Sequence, residues 1–171
     1  VPFAERSELD RWILSKFQRL VAESRDCFET YRIHGIIERF ERFVDDLSTW
    51  YLRRSRRRFW KNEGDTDKLS AYATLFETLE GLCRVMAPIL PFLTEEIYQN
   101  IVRRAQPDAP ASVHLLDYPA VDESRFDTAL EKRIDTVVRY KNLGLHLRTR
   151  ESAKIRQPLG RLLAMPESPE E

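Results

Sequence analysis

A chain of 171 residues, 42% apolar and 33% charged, is long enough for one domain with a sizeable core and has the charge-rich composition of a soluble globular protein. Its 28 basic residues are balanced by 28 acidic ones, which excludes the simplest signature of a nucleic-acid binder, a globally basic domain. Any such function must come from local asymmetry, and with no apolar run near the ~18 residues of a membrane span, no membrane partner is expected.

The opening, VPFAERSELDRW, has no signal-peptide shape, and starting without methionine it reads as a piece of a longer chain. Apolar residues then recur at helical spacing: Leu9, Trp12, Ile13, Phe17, Leu20, Val21 and Phe28 form a first stripe, with Ser7 as its N-cap. A second stripe runs Ile33, Ile36, Ile37, Phe40, Phe43, Val44, Leu47 and Tyr51 and ends near Gly64. The third is Leu69, Tyr72, Leu75, Phe76, Leu79, Leu82, Cys83 and Met86. The prolines of APILPF break it, and a shorter helix follows through Glu95, Ile97, Tyr98 and Ile101. Glu95 and Glu96 read as an exposed first turn, which favours negative charge.

Residues 105–120, with three prolines, are the clearly non-helical stretch, and SVHLL within them suits a short extended segment. The last helix starts near Ser124 or Phe126, carries Leu130, Ile134, Val137, Val138 and Leu145, and runs to about Arg150. The expected fold is all-α, an antiparallel bundle of about five helices over residues 1–150. Residues 151–171 are expected to begin a following segment or linker, partly disordered. Cys27 and Cys83 have no metal-ligand spacing and read as buried free thiols in a reducing compartment.

The charge asymmetry lies in STWYLRRSRRRFWK, residues 48–61, where six of the nine residues from Arg53 to Lys61 are Lys or Arg. On an ideal helical wheel centred on Phe40, Tyr51 and Leu47 lie in the core stripe, and Arg54 and Arg58 continue its line, positioned to pair with carboxylates of another helix. Arg53, Arg57 and Trp60 fall on the far side as neighbours at i, i+4 and i+7, with Trp50 at the core edge. Phe40 and Leu47 are expected in the core, Arg53 and Arg57 at least partly exposed. Guanidinium groups hold phosphates and rings stack on unpaired bases, so this surface suits single-stranded nucleic acid. Two other readings stay open: the tryptophans are core and the arginines pair with Glu41, Asp45 or Asp46, or the basic face docks an acidic protein. A second basic run, 139–157, is a weaker signal of the same kind.

No catalytic residue and no metal ligand is assigned. His34, His114 and His146 lie in different segments without metal spacing, and neither G-x-S-x-G nor a glycine-rich phosphate loop occurs.

The segments LDRWILSKFQRLV (9–21), FVDDLSTWYLRRSRRRFWK (43–61), AYATLFETLEGLCRVMAPILPFLTEEIYQNI (71–101), SVHLLDYP (112–119) and RQPL (156–159) occur in this order. Together they resemble the anticodon-binding helical domain of isoleucyl-tRNA synthetases, class I aminoacyl-tRNA synthetases, most closely the branch shared by eukaryotes and some bacteria. The resemblance spans Leu9 to Leu159; LDRWIL by itself would suit the valyl and leucyl enzymes too. Thr49 departs from the asparagine more often found before the Trp-Tyr pair, which puts a side-chain amide contact there in doubt. The catalytic signatures HIGH and KMSKS are absent, and RIHGII at 32–37 does not supply one.

The resemblance implies a cytoplasmic, monomeric platform that binds the anticodon arm of isoleucine tRNA. It would serve an ATP-dependent ligase whose catalytic part, with its ATP and Mg, lies outside this chain; the fragment itself would be non-catalytic and hold no cofactor. As members of the matching motif, Trp50, Arg53, Arg54, Arg57 and Trp60 are the candidate tRNA-binding residues.

Overall fold

The computed structural model describes residues 1–161, 163 and 165; the rest of the expected 151–171 segment lies outside the described residues. Among the described residues there is no strand, and no helix is long and apolar enough to cross a membrane. They form two compact units, 1–126 and 127 onward. Five helical rods account for the long elements. These are α1 (Glu8–Glu29), a composite rod over 33–59, α4 (Thr66–Met86), a second composite rod beginning with α5 (Pro91–Tyr98), and α6 (Thr128–Arg150).

Ser7 starts α1 as expected. Its hydroxyl accepts from the Asp10 amide at 3.2 Å and donates to the Asp10 carboxylate at 2.8 Å. The middle of α1 is buried on nearly every side, polar Ser15 and Gln18 included, which makes it the central helix of the first unit. α1 ends in a left-handed turn at Tyr31, where the Arg32 amide bonds the Cys27 carbonyl and the Tyr31 amide that of Phe28.

The first composite rod is α2 (Ile33–Asp45), a π-helical segment (Asp46–Leu52) and α3 (Arg53–Phe59). Ile36, Phe43, Leu47, Trp50 and Tyr51 are buried. The expected stripe is narrower at its start: Ile33 and Ile37 are exposed, and Phe40 is half-buried, lining an apolar cavity of ≈ 190 Å³ with Leu47 and Met86.

α4 is capped by Asp65, whose carboxylate accepts from the Asp67 and Lys68 amides. Its first half corrects the stripe read from the sequence. Leu69 and Tyr72 are exposed, and Ser70, Ala71, Thr74 and Thr78 are buried instead. Small residues are needed there because α1, packed beside α4, brings bulky side chains such as Trp12 and Phe17. At Gly81 the approach leaves no room for a side chain, since a Cβ would overlap the Phe17 ring.

The stretch between the last two rods has no extended segment. Val113–Leu115 is a 3-10 turn, as is Glu123–Arg125. Glu95 is not an exposed first-turn residue either: half-buried, it accepts from the Ser112 hydroxyl at 2.8 Å and the Val113 amide at 3.0 Å. Tyr98 donates to the Pro110 carbonyl at 2.9 Å, so α5 pins the start of this loop. Gln18 accepts from the Asp122 amide at 2.8 Å, fastening its end to α1. In the second unit Asp127 caps α6 by accepting from the Leu130 amide at 3.0 Å. Cys27 and Cys83 are buried free thiols, and burial pushes the Cys83 thiol up to about 11.

One polar node lies inside the first unit. Asp10, fully buried, accepts two parallel bonds from Arg58, at 2.8 and 2.6 Å, and one from the Tyr51 hydroxyl at 2.7 Å. Ser70 adds a fourth at 3.2 Å, and Arg58 also reaches Asp67 at 2.7 Å. Burial alone raises the Asp10 pKa. The hydrogen bonds from Arg58, Tyr51 and Ser7, with the Arg58 charge, outweigh it and hold the carboxyl below its usual value. Burial likewise raises Tyr51, reinforced by the Asp10 charge.

A carboxyl whose folded pKa is depressed stabilises the fold above its unfolded pKa, and that stability is lost as pH falls through the folded value. Unfolding free energy should therefore decline from about pH 4 downward, and Asp10→Asn should flatten the decline in a pH series of urea melts. The same substitution leaves Arg58 short of a buried partner and should cost about 3 kcal/mol. Gly81→Ala should cost about 1–3 kcal/mol by overpacking against Phe17, read by thermal unfolding.

Candidate nucleic-acid interface

The arginines of α3 are placed by what precedes them. A π-helical turn closes i→i+5 bonds and takes more residues than the 3.6 of an α-helix, so the segment 46–52 delays the rotation of everything after it. The hydroxyls at its start bond backward to the Asp45 carbonyl, Thr49 at 2.8 Å and Ser48 at 3.4 Å. At Thr49, where the resembling family more often has asparagine, the hydroxyl proton is thus committed to the helix itself.

The consequence is a sorting of the arginines that an ideal wheel misses. Arg54 and Arg58, expected on one inward line, part company. Arg58 turns in, its side chain 13% exposed, and pairs with Asp10 of α1 and Asp67 of α4. Arg54 is exposed, and its Cζ lies 3.7 Å from the centre of the Trp50 ring. Ser55, buried, takes the inward place that the wheel gave to Arg54. Arg53 and Arg57 are exposed as expected, and Arg56, which the wheel did not single out, is exposed beside them.

The two tryptophans also separate. Trp60 is 81% exposed at the end of α3, a full aromatic ring in solvent. Trp50 is 7% exposed, so its ring is packed, with the Arg54 guanidinium over it. Of the five candidate residues, Arg53, Arg54, Arg57 and Trp60 share one exposed stretch of helix, and Trp50 lies beneath it.

The acids expected to neutralise the run do not do so. Asp46 is held by Lys16 at 3.2 Å, and Glu41 and Asp45 stand on the preceding helix. The side chains of Arg53, Arg54, Arg56 and Arg57 make no hydrogen bond or ion pair to a described residue; among the cations of the run only the side chains of Arg58 and Lys61 do, Lys61 with Asp67 at 2.9 Å and Asp65 at 3.6 Å. Four unneutralised guanidinium groups within five residues form a concentrated positive field on a chain of zero net charge. Four stacked charges cost some self-repulsion, which an anionic ligand would relieve.

The second basic run differs. Within it Arg148 donates to the carbonyls of Lys154 at 2.8 Å and Gln157 at 2.9 Å, closing the turn after α6, and Arg150 pairs with Glu151 at 3.0 Å. These two cations serve local structure.

Residues 10–163 match the family described as the anticodon-binding domain of tRNA ligase. The isoleucine–tRNA ligase of Dehalococcoides mccartyi strain 195 is 46% identical over 155 residues, 91% of this chain and 15% of that protein. The isoleucine–tRNA ligase of Thermobifida fusca is 45% identical over 159 residues, 93% of this chain and 15% of its own. That of Cytophaga hutchinsonii is 41% identical over 164 residues, 95% and 15%. The chain thus spans about 15% of the length of these relatives.

Unfolding measurements should separate the two kinds of arginine. Arg57→Gln and Arg56→Gln should change stability by no more than about 0.5 kcal/mol, as unpartnered surface residues do. Arg58→Gln should cost about 3 kcal/mol, because it strands Asp10 in the core.

Proposed function

Since this chain belongs to the anticodon-binding domain family of tRNA ligases, we propose that its α3 surface binds the anticodon arm of isoleucine tRNA within a longer isoleucine–tRNA ligase. The observation that carries the reading is the set of four exposed arginines without protein partners, ending at an exposed Trp60. An anticodon loop offers both things this surface can hold, phosphates for the guanidinium groups and unstacked bases for the ring. The membership favours tRNA over an acidic protein as the anion, though a protein could neutralise the same charges.

In this reading the bundle is a rigid support. The Asp10 node fixes α3 against α1 and α4, so the arginines are presented at a set place and angle. The chemistry belongs to parts of the ligase outside this chain, where ATP and Mg would be used; this segment contributes binding and orientation. The protein would work as a cytoplasmic monomer.

Filter binding of the full-length ligase to isoleucine tRNA, over a salt series and against a noncognate tRNA, tests the proposal. Replacing both Arg53 and Arg57 by Gln should weaken binding and reduce the slope of log K against log salt by roughly 0.7 to 0.9 per lost phosphate contact. Trp60→Ala should cost about 1–3 kcal/mol of binding if the ring stacks on a base. Unchanged affinity and slope in a folded Arg53→Gln/Arg57→Gln protein would remove this helix from the binding site. Preference for acidic protein over any tRNA would favour the other partner.

A further inference from the structure

We infer that Arg54, backed by the ring of Trp50, is a stacking platform for one unpaired nucleobase of the bound RNA, a role separate from phosphate binding by its neighbours. The inference rests on the tRNA reading above and adds a specific subsite to it.

The Cζ of Arg54 sits 3.7 Å from the centre of the Trp50 ring, van der Waals contact distance, so the guanidinium lies against the ring face. The spacing is i, i+4, which places the two side chains on one face of the rod. Trp50 is itself buried and cannot shift without disturbing the core, so the guanidinium rests on a fixed support. Arg54 is exposed, and its side chain makes no hydrogen bond or ion pair to a described residue. The ring therefore covers the guanidinium from one side, while the residue as a whole stays exposed.

A long arginine side chain normally loses rotamer freedom when it binds, and a contact must offset that cost. Here the Trp50 ring has already restricted it. Arginine planes accept nucleobases in the same way as aromatic rings do, and a base on the side away from the ring would complete a ring–guanidinium–base stack. A phosphate would use the edge of the guanidinium and would gain nothing from the ring behind it. Arg53, Arg56 and Arg57 have no such contact with a ring of the described residues and remain suited to phosphates.

Arg54→Lys separates the two uses, because lysine keeps the charge and loses the plane. In the full-length ligase with isoleucine tRNA, this substitution should weaken binding about five- to a hundred-fold, the range expected for one lost base stack, with the salt slope unchanged. Transcripts with one abasic site at a time through the anticodon loop then identify the base. At one position the missing base should weaken binding to the unaltered protein by a similar factor and cost Arg54→Lys nothing further, since both changes remove the same contact. 2-Aminopurine at that position should be quenched on binding to the unaltered protein and less so by Arg54→Lys.

Additive losses at every loop position would overturn the platform, as would Arg54→Lys binding normally while Arg54→Gln lowers the salt slope by about 0.7. In either case, reduced binding by the Arg53→Gln/Arg57→Gln protein would leave the tRNA reading standing. If neither that protein nor Arg54→Lys binds more weakly, both readings fall together.

Discussion

A single buried carboxylate obliges four helical segments to meet at one place. Asp10 is fully enclosed, and an unpaired charge there would be too costly to keep. Its partners come from far along the chain: Tyr51 from the π-helical segment, Arg58 from α3 and Ser70 from α4. Burial works against the ionised form, and the set of donors outweighs it. Because Arg58 also holds Asp67, the start of α4 cannot drift from the end of α3 without exposing or stranding a charge.

That constraint gives the basic run its division of labour. A helix can bury one arginine of a cluster only if the next ones leave the core line. The π-helical segment supplies the needed change in phase, so Arg58 faces Asp10 while Arg53, Arg54, Arg56 and Arg57 face solvent. The same rotation leaves Trp50 packed below Arg54 and Trp60 free beyond the last turn. The internal ion pair and the exposed cationic surface are two sides of one short helix. Loss of the pair would disturb the surface even though none of its residues had changed.

A neutral chain with a local positive field suits a segment that must hold one part of a polyanion in one orientation. A globally basic domain would attract any phosphate backbone to any face. Here α2, just before the run, mixes the exposed acids Glu38, Glu41 and Asp45 with Arg39 and Arg42, so the unmixed positive charge begins only at Arg53. The chain spans about 15% of the length of these relatives.

Much was legible in the sequence because it depends on local periodicity. The helical rods, the Ser7 cap, the end of the last helix at Arg150, the family and the exposure of Arg53 and Arg57 all follow from spacing, residue type or motif. The expectations that the structure corrects depend on neighbours distant in the chain. Leu69 and Tyr72 read as core until the bulk of α1 required Ser70, Ala71 and Gly81 on the facing side of α4. Glu95 read as a solvated first-turn acid until Ser112 and Val113 closed on it. Arg54 and Arg58 were equivalent on a wheel of constant pitch. The sequence by itself determined that the chain is helical and that its positive charge is concentrated after Ser48. Tertiary structure alone decided which arginine serves the fold and which are left exposed, because a π-helical turn changes the pitch and only the position of Asp10 on another helix selects the residue that turns inward.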